Sequence, residues 1–289
     1  MDAKRHRGAV KSEVYFYRSL RGVYDEAIQK NKFDLLTKRL NIMTEETTLK
    51  LSLAYLYPEL LNIYGDYGNV LTVKNRCEWR NIEVEITQIN VGDKIDPEKF
   101  DFYFIGGGQD KQQIDVSREL LLQKEALFEA MELNSVFLGI CGGYQLFGKY
   151  YQPHNGARLM GLGLLDAYTV AGYERFIGNV TAKTDFTMPK TLVGFENHSG
   201  LTFLHGDTKP LAIVEMGAGN NNEDKTEGAR YKNVFGTYLH GSFLPKNPHF
   251  ADYLIKLALE KRYNDNIELQ KLNDEVELQA HMALINKAY

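Results

Sequence analysis

Short apolar runs alternate with stretches of helical periodicity through the middle of the chain. Leu51–Leu56 reads as a strand, Gly68–Arg80 as a helix, and Ile82–Ile89 as a strand in which Val84 and Ile86 alternate with Glu83 and Glu85. Phe100–Ile105 is a short apolar strand that runs into Gly106-Gly107-Gly108. Ser117–Leu133 carries leucines at helical spacing, and Ser135–Ile140 is another apolar strand, ending at Cys141. Strands alternating with helices of this length predict an α/β fold with a mostly parallel sheet and helices on both faces. From Gly161 to Leu239 two strand-like pieces, Leu211–Glu215 and Val234–Leu239, stand between Gly/Asn-rich loops, and helices return at Asn247–Arg262 and Asp274–Ala288.

Residues 1–49 read as an amphipathic helical extension, with Tyr, Phe and Leu spaced between charges from Val14 to Leu40. The part ahead of Met43 looks like an appendage, and Met43 would serve as an alternative start. The α/β domain then covers 50–265, and a C-terminal helix covers 266–289.

The 289 residues are 44% hydrophobic and 25% charged, which excludes disordered and collagen-like classes. No apolar run approaches the roughly 18 residues of a membrane span, and the charged first 20 residues contain no secretory signal. The two cysteines, Cys77 and Cys141, are too few for a disulfide framework or a cysteine-based zinc site, which fits a reducing cytoplasm. The net charge of −4 divides into +4 over residues 1–50 and −8 over the rest. An acidic body argues against nucleic acid as a partner, and the basic start reads as a solvated terminus.

Function in an open α/β sheet gathers at the carboxyl ends of the strands. Two glycine-rich strand ends stand out, Ile105-Gly106-Gly107-Gly108-Gln109-Asp110 and Gly139-Ile140-Cys141-Gly142-Gly143-Tyr144-Gln145. A cysteine ending an apolar strand is more often a small buried hydrophobe. The flanking glycines change that reading, because they give the form of a nucleophile elbow, in which neighbours of a strained turn must lack bulk. A helix starting near Gly142 would point its free N–H groups at the sulfur, which favours thiolate. Cys77 lies in a helical pattern without such flanks and reads as structural. Gly143 to Lys149 also spells the start of a phosphate-binding loop, but Tyr150 stands where Ser or Thr should hold magnesium, so this is a decoy.

A thiolate nucleophile needs a base that also protonates the leaving group. His240 follows the strand Val234–Leu239 and precedes Gly241-Ser242, which places it at a strand end. His198, in Gly194-Phe195-Glu196-Asn197-His198-Ser199-Gly200, is the second candidate.

Gly-Ile-Cys141-Gly-Gly-Tyr-Gln145, Gly-Phe-Glu196-Asn-His198-Ser-Gly and Tyr-Leu-His240-Gly together resemble the class I glutamine amidotransferases, in the branch related to cobyric acid synthase. Ile63-Tyr-Gly-Asp66-Tyr-Gly-Asn69, Phe104-Ile-Gly-Gly-Gly-Gln-Asp110 and Gly219-Asn220-Asn221 look like the GatD-type small subunits of lipid II isoglutaminyl synthases. The likeness runs from about Leu51 to the C-terminus.

What the resemblance implies is a flavodoxin-like glutaminase domain over 50–265, with neither metal nor cofactor. Cys141 would attack the side-chain amide of L-glutamine, His240 would carry the proton, and the N–H groups of Gly142 and of one of Gly106–Gly108, Gly107 first among them, would hold the oxyanion. Arg175 would pair with the α-carboxylate of glutamine, as a guanidinium is built to do, and Gln145 would help hold the substrate. The glutamate of the common H-x-E pattern is absent, since the sequence reads His240-Gly241-Ser242. The group that orients His240 is thereby left open, with Glu196 a candidate. The resemblance also implies a heterodimer with a MurT-like, Mur-ligase-type subunit. That partner would use the ammonia to amidate D-glutamate of the lipid II stem peptide, bringing this chain to the inner membrane face only through the partner and lipid II. The alternatives are a glutaminase serving another acceptor, such as a cobyrinate-type acid, or a γ-glutamyl or peptide hydrolase using the same Cys–His pair.

Overall fold

The computed structural model describes residues 48–63, 65–108 and 110–286. The extension expected over 1–49 falls, apart from its last two residues, outside the described residues. The chain then runs through β1 (Lys50–Leu56), α1 (Tyr67–Glu78), β2 (Glu83–Ile89), β3 (Phe102–Ile105), α2 (Asp110–Leu122), α3 (Lys124–Glu132), β4 (Val136–Ile140) and α4 (Gly142–Phe147). There follow β5 (Tyr150–Gln152), β6 (Leu159–Met160), β7 (Ala167–Lys183), β8 (Thr191–Leu204), β9 (Ala212–Met216) and β10 (Thr226–Glu227). The chain closes with β11 (Ala229–Tyr231), β12 (Val234–Thr237), a 3-10 turn at Leu244–Lys246, α5 (Pro248–Tyr263) and α6 (Glu275–Asn286).

The first sheet has the order β11-β12-β4-β3-β1-β2 and is parallel except for β11. From β1 the chain crosses through α1 to β2 on one side, and from β3 through α2 and α3 to β4 on the other. Right-handed crossovers in opposite directions put these helices on opposite faces and create a topological switch between β1 and β3. β3 and β4 are buried along their whole length, as the unbroken apolar runs predict. Tyr103 and Phe137 stack across them with ring centroids 4.6 Å apart.

The second sheet is largely antiparallel and is built on the long β7–β8 hairpin, flanked by β5, β6, β9 and β10. Most of this hairpin falls where the sequence pattern predicts loops. It contains Gly172, Gly178, Gly194 and Gly200, and much of it is only half-buried, so its alternation is diluted. A second difference is the break in the helix expected over Ser117–Leu133. Gln123 leaves helical geometry at φ −99° and ψ 6°, and its side chain holds the loop after β2, accepting from Ile95 N–H at 3.1 Å and donating to the Asp93 carbonyl at 2.9 Å.

The C-terminal part is tied to the domain by charge. The Arg76 guanidinium, 1% exposed, donates to Asp252 on α5 at 2.7 Å and to Asp274, just before α6, at 2.6 Å; Arg80 reaches Asp252 as well. α6 packs on β7, β8 and the 3-10 turn. His281 is buried there, with its ring nitrogens 2.7 Å from the Thr191 hydroxyl and 2.8 Å from the Lys246 carbonyl.

Candidate active site

Cys141 ends β4 with φ 50° and ψ −100° and stands directly before α4, so the strand–turn–helix elbow is present. This left-handed backbone is strained for a residue with a Cβ, and the neighbouring glycines make room for it. A methyl group on Gly139 would sit 2.8 Å from the Phe147 ring and 2.9 Å from the Tyr144 nitrogen. One on Gly143 would sit 2.7 Å from both Ile105 Cγ2 and its carbonyl oxygen. The supposed phosphate-loop segment is the elbow helix itself, and Lys149 pairs with Asp166 at 2.5 Å. Cys77, by contrast, is wholly buried on α1, and burial pushes its thiol up to about 12.

His240 lies just beyond β12, the neighbour of β4, with its imidazole beside the Cys141 side chain. Its Nδ1 is 3.6 Å from Asp66 Oδ1, with both side chains fully buried. Burial opposes a charge on this imidazole, but Cys141 and Asp66 outweigh it and push the pKa up to about 10. The thiolate is the nucleophilic form of cysteine, and a protonated imidazole beside it is the acid a leaving amine requires.

The second histidine candidate also lines the cleft beside Cys141, but its ring is held by other partners. His198 stacks on Tyr238 with centroids 3.7 Å apart, and its Nδ1 lies 2.9 Å from the Gly200 carbonyl. Glu196 does not orient His240. Its two oxygens accept the Ala218 and Gly219 N–H groups at 2.9 and 3.0 Å, and its ion-pair neighbour is His198 at 3.7 Å. The acid at His240 is Asp66, from the turn after β1, which the sequence reading did not single out for this role. The only local signal is an aspartate between Gly65 and Gly68, directly before a helix.

The glycine turn after β3 closes the site. The Gly107 N–H, expected to serve the oxyanion, donates to Asp66 Oδ2 at 2.6 Å and is occupied. Gly108 lines the cleft, and its nitrogen lies 3.1 Å from where a Gly142 Cβ would stand. Within the turn 106–108, Gly108 thus brings its amide close to Gly142, while that of Gly107 is engaged with Asp66.

A cleft of about 580 Å³ opens from Cys141 to the second sheet, and Gly108, Gln145, Arg175, Asn197 and Ser199 are among its walls. Arg175 sits where the β7–β8 register breaks between Ala171 and Phe176. Its Nε donates to Asn197 Oδ1 at 2.7 Å, and the exposed guanidinium leaves nitrogens for a carboxylate. Gln145 is buried one helical turn after Cys141. It donates to the Tyr238 hydroxyl at 3.1 Å and accepts from Gln113 at 3.2 Å. Among the described residues no group of three or more His, Cys, Asp or Glu could hold a metal ion. Nor is any helix there long and apolar enough to cross a membrane.

Residues 52–248 match the family model of the CobB/CobQ-like glutamine amidotransferase domain. The chain is similar to a Staphylococcus aureus (strain N315) protein, the lipid II isoglutaminyl synthase (glutamine-hydrolyzing) subunit GatD. The two are 41% identical over 239 residues, covering 83% of this chain and 96% of the other. The subunit of the same name from Streptococcus pneumoniae (strain ATCC BAA-255 / R6) is 41% identical over 226 residues, 78% of this chain and 86% of that one. A probable cobyric acid synthase of Methanococcus maripaludis is 32% identical over 167 residues, covering 54% of this chain but 32% of its own.

Proposed function

The chain belongs to the CobB/CobQ-like glutamine amidotransferases, and on that premise we propose that it is the glutaminase subunit of a lipid II isoglutaminyl synthase. Cys141 attacks the side-chain amide carbon of L-glutamine and forms a tetrahedral adduct. The N–H groups of Gly142 and Gly108 receive its oxyanion, each such donor being worth roughly 3 kcal/mol. His240 gives its proton to the departing nitrogen, so that ammonia leaves and a glutamyl thioester is formed. Water, deprotonated by the same imidazole, then hydrolyses the thioester to glutamate and returns the thiolate. Arg175 holds the α-carboxylate and Gln145 supports the bound amino acid.

The ammonia is consumed on a second, Mur-ligase-type chain, which uses ATP to activate the α-carboxyl group of D-glutamate in the lipid II stem peptide and yields D-isoglutamine. The subunit works at the inner membrane face through that partner and through lipid II. The observation that carries the reading is the elbow cysteine beside a buried imidazole, in a cleft that an arginine also lines. The test is ammonia release from L-glutamine by the full chain, alone and co-expressed with the ligase subunit. Activity lost in Cys141→Ala is expected. Turnover of γ-glutamyl peptides in preference to free glutamine would favour the hydrolase reading instead. Amidation of a cobyrinate-type acid rather than lipid II would change the acceptor.

A further inference from the structure

Asp66 occupies the N-cap position of α1, yet its carboxylate makes no capping bond. Aspartate at that position ordinarily accepts an N–H of its own first helical turn. Here the Tyr67 N–H is taken by Asn62 Oδ1 at 3.0 Å, and the Asp66 carboxylate, 0% exposed, turns inward. One oxygen accepts the Gly107 N–H at 2.6 Å, and the other stands 3.6 Å from His240 Nδ1. A methyl group on Gly107 would lie 3.1 Å from His240 Cε1 and 3.3 Å from Asp66 Oδ2, so the three residues converge on one point.

The turn that carries Asp66 is fastened to the histidine loop on both sides. Ser242, two residues after His240, donates its hydroxyl to the Gly65 carbonyl at 2.6 Å. Asn69 accepts the Leu244 N–H at 2.8 Å. Position 242 thus carries no acid of its own and instead braces the turn that delivers one.

We infer that Asp66 is the positioning residue of the catalytic pair: it fixes the His240 ring from behind while locking the glycine turn of the oxyanion site to it. The role rests on the glutaminase reading of Cys141 and His240. A buried carboxylate on Nδ1 leaves Nε2 for the sulfur side and stabilises the imidazolium formed during turnover. The titratable groups that face His240 are Cys141 from the end of β4 and Asp66 from the turn after β1; Lys246 bonds the His240 carbonyl.

The test compares Asp66→Asn with the wild-type full chain, each co-expressed with the ligase subunit. The asparagine keeps an acceptor for the Gly107 N–H and removes the charge. The expected result is a fall in kcat of about 100-fold or more with KM changed less than about 3-fold, and the alkaline limb of the kcat/KM profile moved to lower pH. In histidine-labelled protein, NMR titration of the His240 ring should show its pKa lowered by about one unit or more, a readout independent of turnover. A His240 titration and kcat unchanged by Asp66→Asn would overturn the assignment. An unmoved titration with kcat lost through a raised KM would do the same. A wild-type chain that shows the ring shift yet releases no ammonia would instead sink the glutaminase reading alone.

Discussion

Gly143 donates its backbone N–H to the carbonyl of Gly106 at 3.1 Å, which joins the two glycine-rich strand ends into one site. One turn carries the nucleophile and the other carries main-chain donors, so the bond sets the spacing between attack and oxyanion. Gly143→Ala would drive its methyl group into Ile105, at 2.7 Å from two of its atoms. Overpacking of this kind costs about 1–3 kcal/mol. Urea denaturation should register that loss, and ammonia release should fall by more than the folded fraction explains, because the elbow itself is displaced.

Arg175→Ala should raise KM for glutamine by roughly 10- to 100-fold, the worth of a charge-assisted bond pair, with a smaller effect on kcat. Arg175→Lys should recover little, since a point charge cannot make the planar double contact. Asn197→Ala, which removes the side chain that steadies Nε, should give an intermediate KM. Steady-state kinetics on the three variants checks the order.

Glu227 is fully buried, and burial pushes its pKa up from 4.5 to about 7 against bonds from the Thr237 hydroxyl and the Tyr238 N–H. Below about pH 4.5 both folded and unfolded chains hold the proton. Between there and pH 7 the unfolded chain releases it first, so stability declines as pH rises across the window, by about 3 kcal/mol in all. Glu227→Gln keeps an acceptor for both donors and removes the titration. Urea unfolding at pH 5 and pH 8 should show the variant gaining on the wild type at the higher pH.

Arg76→Met would strip Asp274 of its cation and leave Asp252 with Arg80 alone. Both carboxylates are 20–24% exposed, which places the loss near the lower end of the range for broken buried pairs, about 3 kcal/mol. Thermal unfolding should record it. Limited proteolysis should cut first between α5 and α6, where Asp274 and the Gln270 carbonyl bonded by Arg80 anchor an otherwise irregular segment.

The elements that local pattern encodes were legible in the sequence. The apolar runs of β1, β3 and β4, the glycine-flanked cysteine and the histidine after β12 all appear where the residues alone place them. Asp66 was not legible as the partner of His240, because a polar residue between two glycines reads as a turn. Only the crossover order brings the segments that follow β1 and β12 together across the two strands β3 and β4. Glu196 looked suitable by composition, but two backbone N–H groups of the 217–222 loop claim it. That the Gly107 N–H is claimed by Asp66, 41 positions away, is likewise something no local pattern announces. The β7–β8 hairpin escaped notice because its sides face partly into water and its glycines interrupt the period of two.

On β7 the four residues 172–175 face a single residue of β8, Ser199, between the pairs Ala171–Gly200 and Phe176–His198. The ladder resumes beyond this excursion with its register shifted by the three extra residues of β7, so the strands pair on both sides of it. The arm that carries Arg175 is in that sense a detachable handle. Natural variation or an engineer can extend it, trim it or rewrite its tip to admit a different nitrogen donor, while the machinery that breaks the amide, mounted on the other sheet, stays as it is.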